Sequence, residues 1–174
     1  MAANKKITLT TLNGLRPKDF VQIVGPVFEH SPWIAETACE QRPFADFQSL
    51  HCALCETVGN SNAEKKLALI RAHPDLVGRA ALAGTLTRES TSEQASADLN
   101  QLLAEEIKLF QKQNVAYQKR FGFPFVICVR LHKKEAILVG FEQRLNNSPA
   151  QELKTALEEI FKIAELRLRD LIAR

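Results

Sequence analysis

Apolar residues recur every three or four positions along most of this chain, the spacing that turns one face of an α-helix toward a core. Phe20, Val21, Val24, Val27 and Phe28 predict a helix over 17–28, with Asn13 placed to cap it. Ser31-Pro32 marks a second start, because proline suits the first helical position, and Pro43 ends that segment. Phe47, Leu50, Leu54 and Val58 predict a helix over 44–58, followed by a turn at Gly59-Asn60-Ser61-Asn62 and a short helix over 63–72. His73 must end that helix, since Pro74 drives the residue before it out of the α region. Leu99, Leu102, Leu103, Ile107, Phe110, Tyr117 and Phe121 form one long stripe that includes the polar Asn114. A further helix is expected over 135–146. Ser148-Pro149-Ala150-Gln151 then supplies a capping box for a last helix, whose core side carries Leu153, Leu157, Ile160, Phe161, Ala164, Leu168 and Leu171.

Two stretches break this periodicity. Residues 74–94 contain few large apolar side chains and read as a mostly surface connection, a kind of segment that often carries function. Phe121-Gly122-Phe123-Pro124-Phe125-Val126-Ile127-Cys128-Val129 is apolar and β-prone, yet too short and isolated to be half of a sheet. It reads as an extended segment, about 123–129, buried in a helical protein, where its N–H and C=O groups must find partners other than a ladder. The expected architecture is all-α, a single-domain multi-helix bundle over 1–174 with residues 1–10 a flexible N-terminus.

Composition narrows the function. The 174 residues suit one core, and seven glycines and seven prolines are too few for a turn-rich β-sandwich or barrel. The net charge of +3 comes with dispersed Lys and Arg, which argues against nucleic acid as a partner. No run of about 18 apolar residues suggests a membrane span, and the first residues lack an apolar signal core. Cys52 and Cys55 form a C-x-x-C after His51, but no second paired motif completes a zinc set, and no histidine follows for haem. Two reduced thiols on a helix, in a cytoplasmic protein, is the simpler reading.

Three features could carry chemistry. His73 is a proline-locked histidine at a helix end: either a cation that suits the helix dipole, or a general acid/base titrating near neutrality. Ser90-x-x-Glu93 reads as a capping box for the helix running past Gln101, and the same helix start over Ser90, Thr91, Ser92, Glu93 and Gln94 offers N–H groups to an anion or carbonyl. Glu93 beside His73 would orient the imidazole and raise its pKa. Arg167 lies on or beside the apolar stripe of the last helix, where it either pairs with a protein carboxylate or binds an anionic substrate. Arg144 is a weaker candidate for the same work. His30, His51 and His132 have no comparable setting. Phosphate-binding, dinucleotide, zincin and nucleophile-elbow motifs are absent.

The string His73-Pro74-Asp75-Leu76-x-Gly78-Arg79, then Gly84-Thr85-Leu86-Thr87-x-Glu89-Ser90-x-x-Glu93-Gln94, resembles the 2-oxo-4-hydroxy-4-carboxy-5-ureidoimidazoline (OHCU) decarboxylases of urate breakdown. So do 121–128, Arg144-Leu145, Leu166-Arg167-Leu168, Ser31-Pro32-Trp33 and Arg42-Pro43-Phe44, and the resemblance runs from about 12 to 172. It implies an all-α homodimer that needs no cofactor or metal and converts OHCU to (S)-allantoin and CO2. It implies His73 as proton donor with Glu93 as its partner. The implied substrate contacts are Pro74, Ser90, Thr91, Ser92, Glu93, Gln94, Arg167 and the backbone of Phe125, Val126, Ile127, Cys128 and Val129. The chain ends Leu171-Ile172-Ala173-Arg174 without a peroxisomal-type tail, so a cytosolic enzyme is expected. The alternatives are a small-anion or protein-binding helical module without catalysis, and another lyase or isomerase for a ureido compound.

Overall fold

A computed structural model describes residues 6–173. Among them, ten α-helices and two 3-10 turns carry the regular structure, and an all-α fold is what the chain adopts. No helix among the described residues is long and apolar enough to cross a membrane. The described residues form two compact units, one of those up to 72 with those from 161 onward and one of 73–160.

The first unit holds α1 (Leu9–Asn13), α2 (Pro17–Val24), a 3-10 turn (Gly25–Val27), α3 (Trp33–Cys39), α4 (Phe47–Gly59), α5 (Ala63–Ala72) and the residues of α10 (Pro149–Leu171) from 161 onward. Leu12, Phe20, Val24, Ile34, Leu50 and Leu54 are fully buried in it. Of the expected flexible N-terminus, residues 1–5 lie outside the described residues. From Lys6 the backbone is ordered: Ile7 forms an isolated parallel bridge with Ile172, donating to Leu171 O at 3.0 Å and accepting from Ala173 N–H at 2.8 Å.

Asn13 does not cap α2. Its side-chain amide instead bonds both backbone groups of Phe44, each at 2.9 Å, and α2 starts on the fixed φ of Pro17 without a side-chain cap. The Arg42-Pro43-Phe44 corner is tied in the same region. Arg42 donates to Leu15 O and Cys39 O at 2.6 and 3.0 Å while its guanidinium covers the Phe20 ring. The helix expected from 44 begins at Phe47, because Asp46 accepts from Ser49 N–H at 2.7 Å in a capping box.

The second unit contains α6 (Arg79–Leu82), α7 (Arg88–Ser96), α8 (Ala104–Phe121), a 3-10 turn (Val129–Leu131), α9 (Lys134–Arg144) and α10 up to residue 160. Residues 74–94 are therefore more structured than their weak apolar content suggests. The long stripe is also divided. α7 ends at Ser96, Asp98 takes a left-handed φ of 57°, and Leu99 to Leu103 precede α8 rather than belonging to it. α8 ends on Gly122, whose φ of 75° supplies the left-handed C-cap that glycine adopts without strain. The Ser148–Gln151 capping box forms as expected, with Gln151 N–H on Ser148 Oγ at 3.3 Å and Ser148 N–H on Gln151 Oε1 at 3.0 Å.

This unit is built on an aromatic cluster. Phe125 stacks on Phe141 with centroids 3.8 Å apart, and Tyr117 stands edge-on to both, at 5.2 and 6.2 Å. Phe110 meets Phe141 edge-on at 6.2 Å. The expected extended segment is present, non-helical and buried from Phe123 to Cys128. Phe141→Ala removes the ring shared by Phe110, Tyr117 and Phe125, so a loss of about 3–5 kcal/mol in unfolding free energy is expected from denaturant titration.

Candidate functional site

His73 follows the last residue of α5 and is 7% exposed, so the imidazole is buried. The turn behind it is tightly specified. Asp75 O accepts from Gly78 N–H at 3.3 Å, and a Cβ at Gly78 would sit 2.6 Å from Asp75 Cβ, which explains glycine there. Val77 has a φ of 53°, a left-handed conformation that costs a β-branched residue about 1–3 kcal/mol. Three side-chain amides hold this turn. Gln94 Oε1 accepts from Val77 N–H at 3.2 Å, Asn114 Nδ2 donates to Leu76 O at 2.8 Å, and Gln118 Nε2 donates to both Asp75 carboxylate oxygens at 2.7 and 2.9 Å.

α7 brings the second cluster to this turn. Its cap is Thr87, whose Oγ1 accepts from Ser90 N–H at 3.3 Å, and not Ser90 as the Ser90-x-x-Glu93 spacing suggests. Either register satisfies the serine/threonine preference; α7 starts three residues earlier because Thr87 holds the extended backbone a cap needs. Ser90 and Gln94, one helical turn apart, are buried, Glu93 is half-buried, and Thr91 and Ser92 are exposed. The Thr91 hydroxyl donates to Thr87 O at 2.8 Å. Through Gln94, α7 is bonded to the turn behind His73, and α7 also packs on the Val129–Leu131 turn at the end of the extended segment. The structure thus brings together the His73 turn, the Ser90–Gln94 helix and the 125–129 segment.

The extended segment meets its backbone demand with ionised side chains. Arg144 Nη1 donates to Val126 O at 2.7 Å, and Glu159 Oε2 accepts from Cys128 N–H at 2.8 Å. Ile127, between them and 7% exposed, has an N–H and a C=O without a partner among the described residues, a donor–acceptor edge of the kind that a cyclic amide or urea matches. Arg144 is not an anion-binding residue here. It forms a buried pair with Glu152 at 2.6 Å, lies over the Phe125 ring at 4.4 Å and reaches Tyr117 Oη at 3.5 Å. Tyr117 donates to Glu152 Oε1, and Asn147 Nδ2 donates to Glu152 Oε2 at 2.7 Å, so a fully buried carboxylate is surrounded by donors. Burial first, and then the carboxylate, push the Tyr117 phenol up against the opposing pull of Arg144, so it stays protonated as a donor.

Arg167 belongs to the first unit. It is buried and pairs with Glu29 at 3.0 Å, with longer contacts from the same Nη1 to Pro26 O and Val27 O at 3.4 and 3.5 Å. Glu29 precedes His30, which has a left-handed φ of 46°. In the same unit, Cys52 is exposed and Cys55 half-buried on α4, and Cys55 Sγ lies 3.4 Å from His51 Nε2, which also faces Phe161 O at 3.1 Å. Burial, with the neighbouring thiol and carboxylates, raises Cys55 from the ordinary 9.0 to about 12. Among the described residues no three His, Cys, Asp or Glu side chains converge as a cation site.

Asn114, Gln118, Glu29, Glu152 and Glu159 escaped the reading of the sequence. Asn114 alone left a signal, as a polar residue inside an apolar stripe; the others have partners 31 to 138 positions away, except Glu152, which meets Arg144 eight positions away across the α9–α10 corner.

The chain matches the family model described as OHCU decarboxylase over residues 13–169. It is 42% identical over 165 residues to the 2-oxo-4-hydroxy-4-carboxy-5-ureidoimidazoline decarboxylase of Haloferax volcanii, covering 95% of this chain and 96% of that one. The protein of the same name from Amia calva is 41% identical, with 92% of each chain covered. A crystal structure of (S)-allantoin synthase superposes with a TM-score of 0.76 at 28% identity, covering 95% of this chain, which spans 54% of that one. A crystal structure of OHCU decarboxylase in the presence of (S)-allantoin gives a TM-score of 0.66 at 26% identity over 82% of this chain and 92% of that one.

Removing one partner of a buried ion pair strands the other, so Arg144→Met is expected to cost about 3–5 kcal/mol in chemical denaturation, and a second change, Glu152→Leu, to recover part of that loss. The raised Cys55 thiol predicts that iodoacetamide at about pH 8 alkylates Cys52 and spares Cys55, as read by peptide mass mapping of the native protein.

Proposed function

The chain belongs to the OHCU decarboxylase family, and from that premise we propose that it removes CO2 from OHCU to give (S)-allantoin in urate degradation, with His73 delivering the proton that sets the stereochemistry. It is a carboxy-lyase, and relatives with this activity do not favour a binding module without catalysis. The observation that carries the reading is the convergence, within one compact unit, of a buried histidine, the Ser90–Gln94 helix and a backbone edge at Ile127.

Decarboxylation leaves an electron pair that needs an acceptor. In this substrate the carbon that loses CO2 adjoins a ring C=N bond. The pair from the breaking C–C bond forms a C=C bond, while the imine π pair moves onto nitrogen, which takes up a proton. An enol remains. Its O–H proton leaves as C=O forms, and the C=C pair takes a proton at the neighbouring carbon. Protonation from one face fixes the enantiomer, so the donor must be held in one orientation. We assign that transfer to His73, whose backbone Pro74 restricts, with Glu93 orienting the imidazole and making it more basic. Ser90, Thr91, Ser92 and Gln94 contact the ureido and ring groups, together with Pro74 and the backbone of Phe125, Val126, Ile127, Cys128 and Val129. Arg167 is assigned, as the family resemblance implies, to an anionic part of the substrate, in addition to its bond to Glu29, its planar fork being able to serve two acceptors. No cofactor is assigned a step.

The family match crosses both units, which supports reading 1–174 as one catalytic domain. We further propose a homodimer in the cytoplasm. Large apolar side chains exposed on α8 and α9, Leu109, Val115 and Val139 among them, support a second copy as partner, and four separate thiols suit a reducing compartment.

His73→Asn should fold like the native protein, slow the decay of freshly generated OHCU by about 10²–10⁴-fold, and lose the enantiomeric excess of allantoin seen by circular dichroism. Full rate with pure (S)-allantoin from that variant would show the assignment to be wrong.

A further inference from the structure

We infer that Asn114, with Gln118 one helical turn later on α8, is a positioning residue for this reaction: the two amides fix the turn behind His73, and through it the direction from which the imidazole delivers its proton. The inference rests on the reading of His73 as proton donor and adds residues that its motif does not contain.

Four observations support it. The first is geometric. Asn114 and Gln118 are four residues apart, so both amides project from one face of α8. They meet consecutive residues of the turn, Gln118 on the Asp75 carboxylate at 2.7 and 2.9 Å and Asn114 on Leu76 O at 2.8 Å. Gln94 takes the next residue, Val77, by its N–H at 3.2 Å. Residues 75, 76 and 77 are thus each held by a side-chain amide within four positions of His73.

The second is strain. Val77 has a φ of 53°, which a β-branched residue leaves readily unless its surroundings prevent it. The turn does not hold itself: its only internal backbone bond is Gly78 N–H to Asp75 O at 3.3 Å, at the long end of the range. The amides of Asn114 and Gln94 hold the C=O and the N–H of the Leu76–Val77 peptide and so restrain the residue that follows it.

The third is an asymmetry in Asn114 itself. It is 5% exposed, and while Nδ2 is bonded to Leu76, Oδ1 is buried without a hydrogen-bond partner among the described residues. A leucine of similar volume fills the same space without stranding an acceptor. Packing therefore does not account for an amide at 114, whereas the bond to the turn does.

The fourth is chemical. Neither an asparagine nor a glutamine side chain titrates, so each donor keeps its form while the imidazole gains and loses its proton, and Asn114 does so against a backbone carbonyl, Leu76 O, that does not titrate either.

Stereochemical purity separates positioning from a merely structural role. A protein that is less stable but correctly built turns over with native selectivity in its folded fraction. One whose turn has moved protonates from both faces. Asn114→Ala, Asn114→Asp and Gln118→Ala are compared with the native chain for kcat, KM, enantiomeric excess and melting temperature, using freshly generated OHCU well below the melting point. Asn114→Asp keeps volume while replacing the donor to Leu76 with an acceptor. Gln118 is exposed, so its variant retains the fold even if both Asn114 variants do not. The expected result is a fall in kcat of about 10–100-fold for the Asn114 variants and a smaller fall for Gln118→Ala. KM should stay within about threefold, and allantoin should lose enantiomeric purity in each folded variant. Native kcat with pure (S)-allantoin in the folded variants overturns the proposal, as does a loss confined to KM. His73→Asn in the same assay tests the underlying reading: if it keeps native rate and purity, that reading fails whatever the amide variants do, and if it loses both while the amide variants keep them, only the positioning role fails.

Discussion

A chain that buries an extended segment without a sheet must find other partners for its backbone polar groups, and much of the second unit follows from how this one does so. Val126 C=O goes to Arg144 and Cys128 N–H to Glu159, a cation and an anion on two different helices. Each charge inside the protein then imposes its own requirement. Arg144 is balanced by Glu152, and Glu152 by the phenol of Tyr117 and the amide of Asn147, so the polar network extends until every group has a partner. The aromatic rings that enclose it also limit water: Phe125 lies under the guanidinium and Tyr117 stands against Phe125 and Phe141. Ile127 is left between the two satisfied positions, with no partner for its peptide groups among the described residues.

The turn behind His73 is held differently. Its restraints are neutral amides, from Gln94 on α7 and from Asn114 and Gln118 on α8. Gln94 connects the two arrangements, because its helix bonds to the turn and packs on the Val129–Leu131 turn. In the first unit the same economy appears with Arg167, whose guanidinium is both buried and paired to Glu29, next to a residue in a left-handed conformation.

Much of this was legible in advance. The helices with wide apolar stripes, the stop at His73-Pro74 and the buried run after Gly122 all rest on local rules: periodicity, proline's missing N–H and the steric demand it makes on its predecessor. Local signals were also where the reading slipped. Asn13 has a good capping side chain but spends it on Phe44, and Thr87 rather than Ser90 caps α7, since two equivalent hydroxyls three residues apart cannot be ranked by type alone. The break between α7 and α8 was hidden because Leu99 and Leu102 continue an apolar period while the backbone at Asp98 turns away from it.

The sequence by itself determined the helical class, the place of the histidine at a helix end and the family motifs, because each depends on residues within a turn or two of one another. Only the tertiary structure decided what the remaining polar groups do. Arg144 could have bound an anion until Glu152 and Val126 were seen to occupy it, and Asn114 was an oddity in a stripe until Leu76, 38 residues away, met its amide. A hydrogen bond between distant positions leaves no period or spacing in the chain, because it is set by how the helices pack.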